Sequence, residues 1–277
     1  MESRRYMQSQ SVEELNASAS KCRKRIVDMV YKAKSGHPGG SLSCIDILVA
    51  LYKGVMRFDS NNPSWDDRDR FIMSKGHASP AVYSILREVG ILQDSDLNGF
   101  RSLGSVCQGH VDRKWTEGVD FSAGSLGMGL SFGLGSALAA RLDGSKRHTW
   151  VLLGDGEIQE GQIWEAAMAA SHLEVSNLTA IIDKNRIQND NFVDDQMRVG
   201  DIGSKFKSFG WNVININGHD MHEIVSALKD SKTGNGPTAI IASTVKGKGV
   251  SYMENNPAFH GAAPNDEQYA LAMEELS

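Results

Sequence analysis

Two polar side chains, each placed where an apolar run stops, carry the strongest chemical signal in this sequence. Val151-Leu152-Leu153 ends at Gly154-Asp155-Gly156, and Leu178-Thr179-Ala180-Ile181-Ile182 ends at Asp183-Lys184-Asn185. A carboxylate and an amide oxygen are hard donors. With a backbone carbonyl, water and two phosphate oxygens they complete the octahedron that Mg²⁺ demands. The glycines flanking Asp155 let the backbone turn sharply and come close to a ligand. A helix predicted from about Gln162 to His172 starts just beyond, and its free N–H groups suit a phosphate. Gly-Asp-Gly alone is an ordinary turn, and Asn185 alone is an ordinary turn residue. As a pair 30 residues apart they fit neighbouring strand ends joined by a helix. That pairing favours a Mg²⁺-diphosphate site.

The elements that must position this pair alternate along the chain. Strand–helix–strand units of this kind predict a doubly wound α/β fold, with a mainly parallel sheet and helices on both faces. Ligands bind such folds at the carboxyl edge of the sheet. Ser11 and Glu14 form a capping-box signature for a long amphipathic helix reaching about Lys34. It breaks at Ser35-Gly36-His37-Pro38-Gly39-Gly40, after which Ser41 or Ser43 can cap the next helix. Phe71-Ile72-Met73 reads as a short buried strand ending at Ser74-Lys75-Gly76-His77, and Pro80 suits a helix's first turn. Residues 99–116 show no period and read as an extended loop holding Gly109-His110. Gly124-Ser125-Leu126-Gly127-Met128-Gly129 leads into a small-residue helix from about Leu130 to Arg141. Beyond Asn185 come a polar loop and a helix near Asp201 to Phe209. The strand Val213–Ile216, a helix capped by Asp220, a strand Thr238–Thr244 and a terminal helix near Glu267 follow.

Composition narrows the classes. Of 277 residues, 40% are hydrophobic and 23% charged, as in a globular protein. A net charge of −5 without a Lys/Arg block argues against a nucleic-acid surface. Cys22, Cys44 and Cys107 are scattered and odd in number, as for reduced cytosolic thiols. The start, Met1-Glu2-Ser3-Arg4-Arg5, lacks an apolar signal core, and the longest apolar stretch, near Ile45 to Val55, is interrupted by Asp46 and Lys53. The expectation is a soluble cytoplasmic protein with no membrane partner.

Gly154-Asp155-Gly156 followed by Asn185 is similar to the thiamine diphosphate motif. Four further segments, in the expected order over nearly the whole chain, resemble transketolase specifically: Ser35-Gly36-His37-Pro38-Gly39-Gly40, Ser74-Lys75-Gly76-His77-Ala78, Gly124-Ser125-Leu126-Gly127 and Phe259-His260-Gly261. The resemblance implies the thiamine-diphosphate-binding fold, as one diphosphate-binding domain over residues 1–277 with a helical and loop part over 1–120. It implies thiamine diphosphate and Mg²⁺ as cofactors, the metal held by Asp155, Asn185 and the carbonyl of Ile187. Gly156 then gives its N–H to the diphosphate. His77 and His260 line the diphosphate and thiazolium side, and Gly124 and Leu126 pack round the rings. His37 and His110, with His260, meet sugar hydroxyls and move protons. Glu160 and Glu165 match acids that the family buries at its subunit interface. Val111 stands where the family usually has proline, and Lys184 where many thiamine enzymes have a second asparagine.

Such a chain resembles the N-terminal subunit of a split transketolase, which transfers a two-carbon ketol unit from a ketose phosphate to an aldose. The family's activating glutamate lies on a pyrimidine-binding domain that resembles none of this sequence. The implied partner is therefore a C-terminal subunit, in a heterodimer or heterotetramer, with sugar phosphates as substrates. Alternatives are a subunit of a deoxyxylulose-phosphate synthase or 2-oxo-acid dehydrogenase, and a non-catalytic binding subunit. A nicotinamide enzyme is disfavoured, because the partial fingerprint at Gly133-Leu134-Gly135 falls inside a predicted helix. His148, His172, His219 and His222 read as surface or satisfied core residues. Lys246 and Lys248 can reach a phosphate but read as a solvated loop.

Overall fold

The computed structural model describes residues 10–189 and 191–277, so the polar start at Met1 to Arg5 lies outside the described residues. The chain opens with α1 (Val12–Ala33) and α2 (Pro38–Ala50), which runs into a π-helical turn, Leu51–Val55. β1 (Arg70–Met73), α3 (Ser79–Glu88) and the short α4 (Asp94–Asn98) follow. After an irregular stretch come α5 (Met128–Leu142), β2 (Thr149–Gly154), α6 (Gly161–His172) and β3 (Leu178–Lys184). A small antiparallel hairpin, β4 (Ile187–Gln188) with β5 (Asn191–Phe192), precedes α7 (Val193–Gln196) and α8 (Ile202–Ser208). Then come β6 (Asn212–Asn217), α9 (Met221–Asp230), β7 (Thr238–Ser243) and α10 (Asp266–Glu275).

The main sheet has the order β1-β2-β3-β7-β6, and every pairing in it is parallel. Parallel strands buried on both faces need near-continuous apolar runs, as β2 and β3 show. Alternation sorts the side chains of β2 between two cores. Trp150 and Leu152 join the core with α1, α2, α3 and α9, while Val151 and Leu153 join the one with α5, α6 and α8. The fold is thus the doubly wound α/β arrangement expected. The register pairs Gly154 with Asp183, so Asp155 and Asn185 leave the sheet side by side.

Local signals decide most boundaries. Ser11 and Glu14 form the expected capping box, at 3.2 and 2.8 Å. Asp201 and Asp220 cap α8 and α9 through their carboxylates. The start of α2 differs from the expectation. Neither Ser41 nor Ser43 caps it; Pro38 occupies the first turn, where its fixed φ and missing N–H suit a helix start. The helix therefore takes in Gly39 and Gly40, and all its residues are buried. Ser41 instead donates back to the His37 carbonyl at 2.8 Å. Gly133 and Gly135 lie inside α5, in the wrong context for a dinucleotide fingerprint.

A buried ion pair fastens the carboxyl edge. Lys75, just after β1, contacts Asp183 near the end of β3, and both side chains are almost wholly enclosed. Lys75 Nζ also donates to the Gly40 carbonyl at 2.8 Å, and Asp183 accepts from Ser43 Oγ at 2.5 Å and from Thr244 Oγ1. Removing one member of such a pair leaves an uncompensated buried charge. Asp183→Asn should therefore cost about 3–5 kcal/mol in urea unfolding, and an unchanged midpoint would show that the pair does not anchor the fold. Gly129 is pressed on the same edge, where an added Cβ would lie 2.3 Å from Ser74 Oγ and 2.9 Å from its Cα. Gly129→Ala should lose about 1–3 kcal/mol by overpacking, read by the same titration.

Candidate active site

The carboxyl edge opens into a cavity of about 330 Å³. Its walls come from sequence-distant loops. His37 and Gly40 come from the start of α2, Lys75 and His77 from the end of β1, and His110 from the irregular stretch. Gly124 and Leu126 precede α5, and Asp155, Gly156 and Glu160 follow β2. Asn185 and Ile187 follow β3, and Lys246 and His260 follow β7. Every candidate named from the sequence lines this cavity except Glu165, which sits on the exposed side of α6 with Met168. A larger hollow of about 480 Å³ lies near the amino end of β1. There Arg68 already grips Asp120 in a bidentate pair at 2.9 and 2.7 Å, and Arg70 shares that carboxylate.

The metal-type donors converge at one end. Asp155 is 4% exposed, and its carboxylate accepts from the N–H groups of Gly156 at 2.9 Å and Arg186 at 2.5 Å. Burial, and then the charge of Asp183, push its pKa up to about 6. The Asn185 amide nitrogen donates to Asp183 at 3.1 Å and to Ser43 at 3.2 Å, which turns its oxygen the other way. That oxygen accepts from the Ile187 N–H at 3.2 Å. Among the described residues no group of three or more His, Cys, Asp or Glu could hold a metal; the hard donors at this place are one carboxylate, one amide oxygen and one backbone carbonyl.

Lys246 corrects the sequence reading. It is 2% exposed rather than solvated, and its Nζ donates to the Ile187 carbonyl at 2.8 Å and to His260 Nδ1 at 2.6 Å. Burial, then repulsion from Lys75, lower its pKa to about 7. Burial also opposes the charge on Lys75, but Asp183 more than offsets this and holds it raised. Lys248, by contrast, is in the solvated loop expected, paired with Glu254 at 3.3 Å. The Ile187 carbonyl that accepts from Lys246 Nζ turns its oxygen toward the cavity. The hard oxygens of Asp155, Asn185 and Ile187 therefore fit a Mg²⁺ ion, and the buried Lys246 fits a diphosphate.

Four histidines gather in the same cavity, joined to the Ile187 carbonyl through Lys246 and His260. From the His37 ring centroid, those of His77, His260 and His110 lie 5.2, 5.4 and 6.3 Å away. His37 Nδ1 is buried without a hydrogen-bond partner, an acceptor or donor left for a ligand. Burial lowers His37 to about 4 and His260 to about 3, with His77 and His110 also lowered. The cavity thus opposes the imidazolium form of all four. The His110 loop is held without a following proline: Tyr83 Oη donates to the Gln108 carbonyl at 2.9 Å, and Ser79 Oγ to that of Gly109 at 2.9 Å.

Sequence reasoning also missed Glu157. It is 3% exposed, accepts from Gly127 N at 2.9 Å, Gly154 N at 3.0 Å and Ser74 Oγ, and so binds the Gly124 loop to the turn after β2. A glutamate directly after Gly-Asp-Gly was the available signal. Of the bland histidines, His148 is buried against Thr179 at 2.8 Å, while His172 and His222 are exposed. His219 lies outside the cavity, bonded on both ring nitrogens.

Comparison with known proteins agrees with this geometry. Residues 15–277 match the family described as transketolase, thiamine diphosphate binding domain. The chain is 42% identical to a subunit of the apulose-4-phosphate transketolase of Phocaeicola vulgatus, over 96% of this chain and 95% of that one. It is 38% identical to the 6-deoxy-6-sulfo-D-fructose transketolase subunit SqwG of a Clostridium species, over 95% and 96%. Human transketolase is 35% identical over 94% of this chain but 42% of its own length. The crystal structure of Campylobacter jejuni transketolase superposes with a TM-score of 0.91 at 35% identity, covering 96% of this chain and 43% of that one. The chain spans about two fifths of these longer enzymes and nearly all of the two subunit chains. Profile, identity and structure agree that the chain belongs to the transketolase family, as its thiamine diphosphate binding domain.

Proposed function

We propose that this protein is the diphosphate-binding subunit of a two-chain, Mg²⁺-dependent transketolase of the cytoplasm. It moves a two-carbon ketol unit from a ketose phosphate to an aldose together with a pyrimidine-binding partner subunit. The observation that carries the reading is that the metal-type oxygens, the buried Lys246 and four histidines line one cavity. Relatives of matching length are named as transketolase subunits, which supports a partner chain.

Bound thiamine diphosphate supplies the carbanion chemistry that breaks and forms the carbon–carbon bond. This chain's residues hold, orient and exchange protons. Asp155, Asn185 and the Ile187 carbonyl hold Mg²⁺, while the Gly156 N–H, His77 and Lys246 meet the diphosphate. Gly124 and Leu126 pack against the rings. His37, His110 and His260 face the sugar hydroxyls as neutral bases, able to accept a proton at one nitrogen and return it. Glu160 at the cavity rim and Glu165 on α6 face the partner subunit.

Supplied with thiamine diphosphate and Mg²⁺, the isolated chain should show no ketol transfer, and adding the partner subunit should restore it. Robust turnover by the chain alone would sink the two-chain reading. Asp155→Ala should weaken Mg²⁺-dependent cofactor binding beyond the roughly 10–100-fold seen for outer-shell changes, with the far-ultraviolet spectrum unchanged. Lys246→Met should weaken cofactor binding about tenfold or more, the scale of a charge-assisted hydrogen bond. Equal calorimetric affinities for Lys246→Met and wild type would remove Lys246 from the diphosphate site.

A further inference from the structure

We propose that His219 is a positioning residue for the cofactor site, setting Lys246 in place through a single fixed imidazole tautomer. The inference rests on the reading of Lys246 as a diphosphate contact. His219 sits in the turn between β6 and α9, outside the cavity. Its Nδ1 lies 2.8 Å from Asp46 Oδ2, and its Nε2 accepts from the Val245 N–H at 2.9 Å. A backbone N–H can only donate, so Nε2 carries the lone pair and Nδ1 the proton that faces Asp46. Asp46, on α2, is nearly fully buried and is gripped by Arg23 of α1 at 2.5 Å. The chain Arg23–Asp46–His219–Val245 thus ties two helices and a turn to the residue immediately before Lys246.

The surrounding backbone leaves this segment little slack. The Gly218 N–H donates to the Ser243 carbonyl at 2.8 Å, and a Cβ on Gly218 would lie 2.4 Å from Thr244 Cγ2. Beyond Lys246, the Gly247 N–H donates to the Gly39 carbonyl at 3.0 Å. A Cβ on Gly39 would come within 3.1 Å of Lys246 Cγ and 2.8 Å of the Phe259 carbonyl oxygen. The Lys246 stem is therefore threaded past a glycine, and its backbone is fixed on one side by Gly39 and on the other by His219. Asp220 serves the next helix instead, its carboxylate capping α9 through His222 N at 2.9 Å and Glu223 N at 3.2 Å. In Gly218-His219-Asp220 each residue thus has its own role, and that of the histidine points at the lysine.

Two substitutions divide the imidazole's bonds. The amide of His219→Asn can still donate to Asp46 but stops short of Val245. His219→Gln reaches further and offers an oxygen to the Val245 N–H. In calorimetric titration of the assembled two-subunit complex with thiamine diphosphate and Mg²⁺, His219→Asn should weaken binding about tenfold, the scale of one lost hydrogen bond with its unsatisfied donor. His219→Gln should stay within about threefold of wild type on the same scale. Repeated in a Lys246→Met background, the Asn effect should vanish, because coupled residues fail to add. Wild-type binding with an unaffected His219→Asn would overturn the inference alone. An Asn effect of equal size with and without Lys246, or a Gln variant as weak as Asn, would also overturn it in favour of a merely structural role. A wild-type complex that binds no cofactor would instead overturn the proposed function itself.

Discussion

A lysine and an aspartate enclosed against each other hold the active edge in register. Lys75 comes from the end of β1 and Asp183 from the end of β3, two strands separated in the sheet by β2. Between them they engage the start of α2, through the Gly40 carbonyl and Ser43, and the end of β7, through Thr244. They also hold Asn185, whose amide nitrogen bonds to the same carboxylate. Desolvating two charges makes such a pair a weak source of net stability. What it supplies is definition: four segments share one charge-neutral hub, and none can shift without exposing an unpaired buried ion.

That hub also sets the electrostatics above it. Asp183 stands near Asp155 and raises its pKa, while Lys75 stands near His77 and Lys246 and lowers theirs. Burial acts in the same direction on each of these groups. Apart from the paired Lys75, a cavity assembled this way disfavours charge on Asp155, His77 and Lys246. A dianionic or trianionic phosphate ligand with its cation would bring in the charges that the walls have been relieved of. The histidines follow the same physics: burial opposes the imidazolium on all four, with Lys75 and Lys246 adding to it at His77 and His260 and Arg101 at His37 and His110.

Much of this was legible in the sequence, for local reasons. Apolar runs that stop at Gly-Asp-Gly and at Asp-Lys-Asn mark strand ends, and a parallel sheet brings such ends together. Loops marked by glycine and proline put His37, His77, His110 and His260 at the same edge. What escaped the sequence depends on contacts between distant residues. Lys246 in Val245-Lys246-Gly247-Lys248-Gly249 has the composition of a solvated loop, and only packing on Gly39, Ile187 and His260 buries it. His219 acquires its partners from positions 46 and 245, and Glu157 from 74 and 127. The elements α4, α7 and the β4–β5 hairpin span two to five residues each, too short for any periodicity to announce them. The start of α2 was misplaced because serines suggested a cap that Pro38 made unnecessary.

The carboxylates of the cavity bear on the proposed two-chain reading. Both oxygens of Asp155 accept backbone N–H groups and face the metal-type donors. Both oxygens of Glu157 are likewise committed, to Ser74 and Gly127 on one side and Gly154 on the other. Glu160 stands exposed at the rim. Among the described residues, then, the two buried carboxylates lining the cavity are already engaged, and neither is free to meet a heterocycle as an acid. The outer surface is unbalanced in the same sense. α5 exposes Met128, Phe132 and Leu142, and α6 exposes Met168 beside Glu165. A helix apolar on its outer side as well as its inner one suits burial against another chain. In the proposed two-chain enzyme the same partner that brings the missing acid to the cavity would cover these side chains, so completing the site and burying the surface become one event.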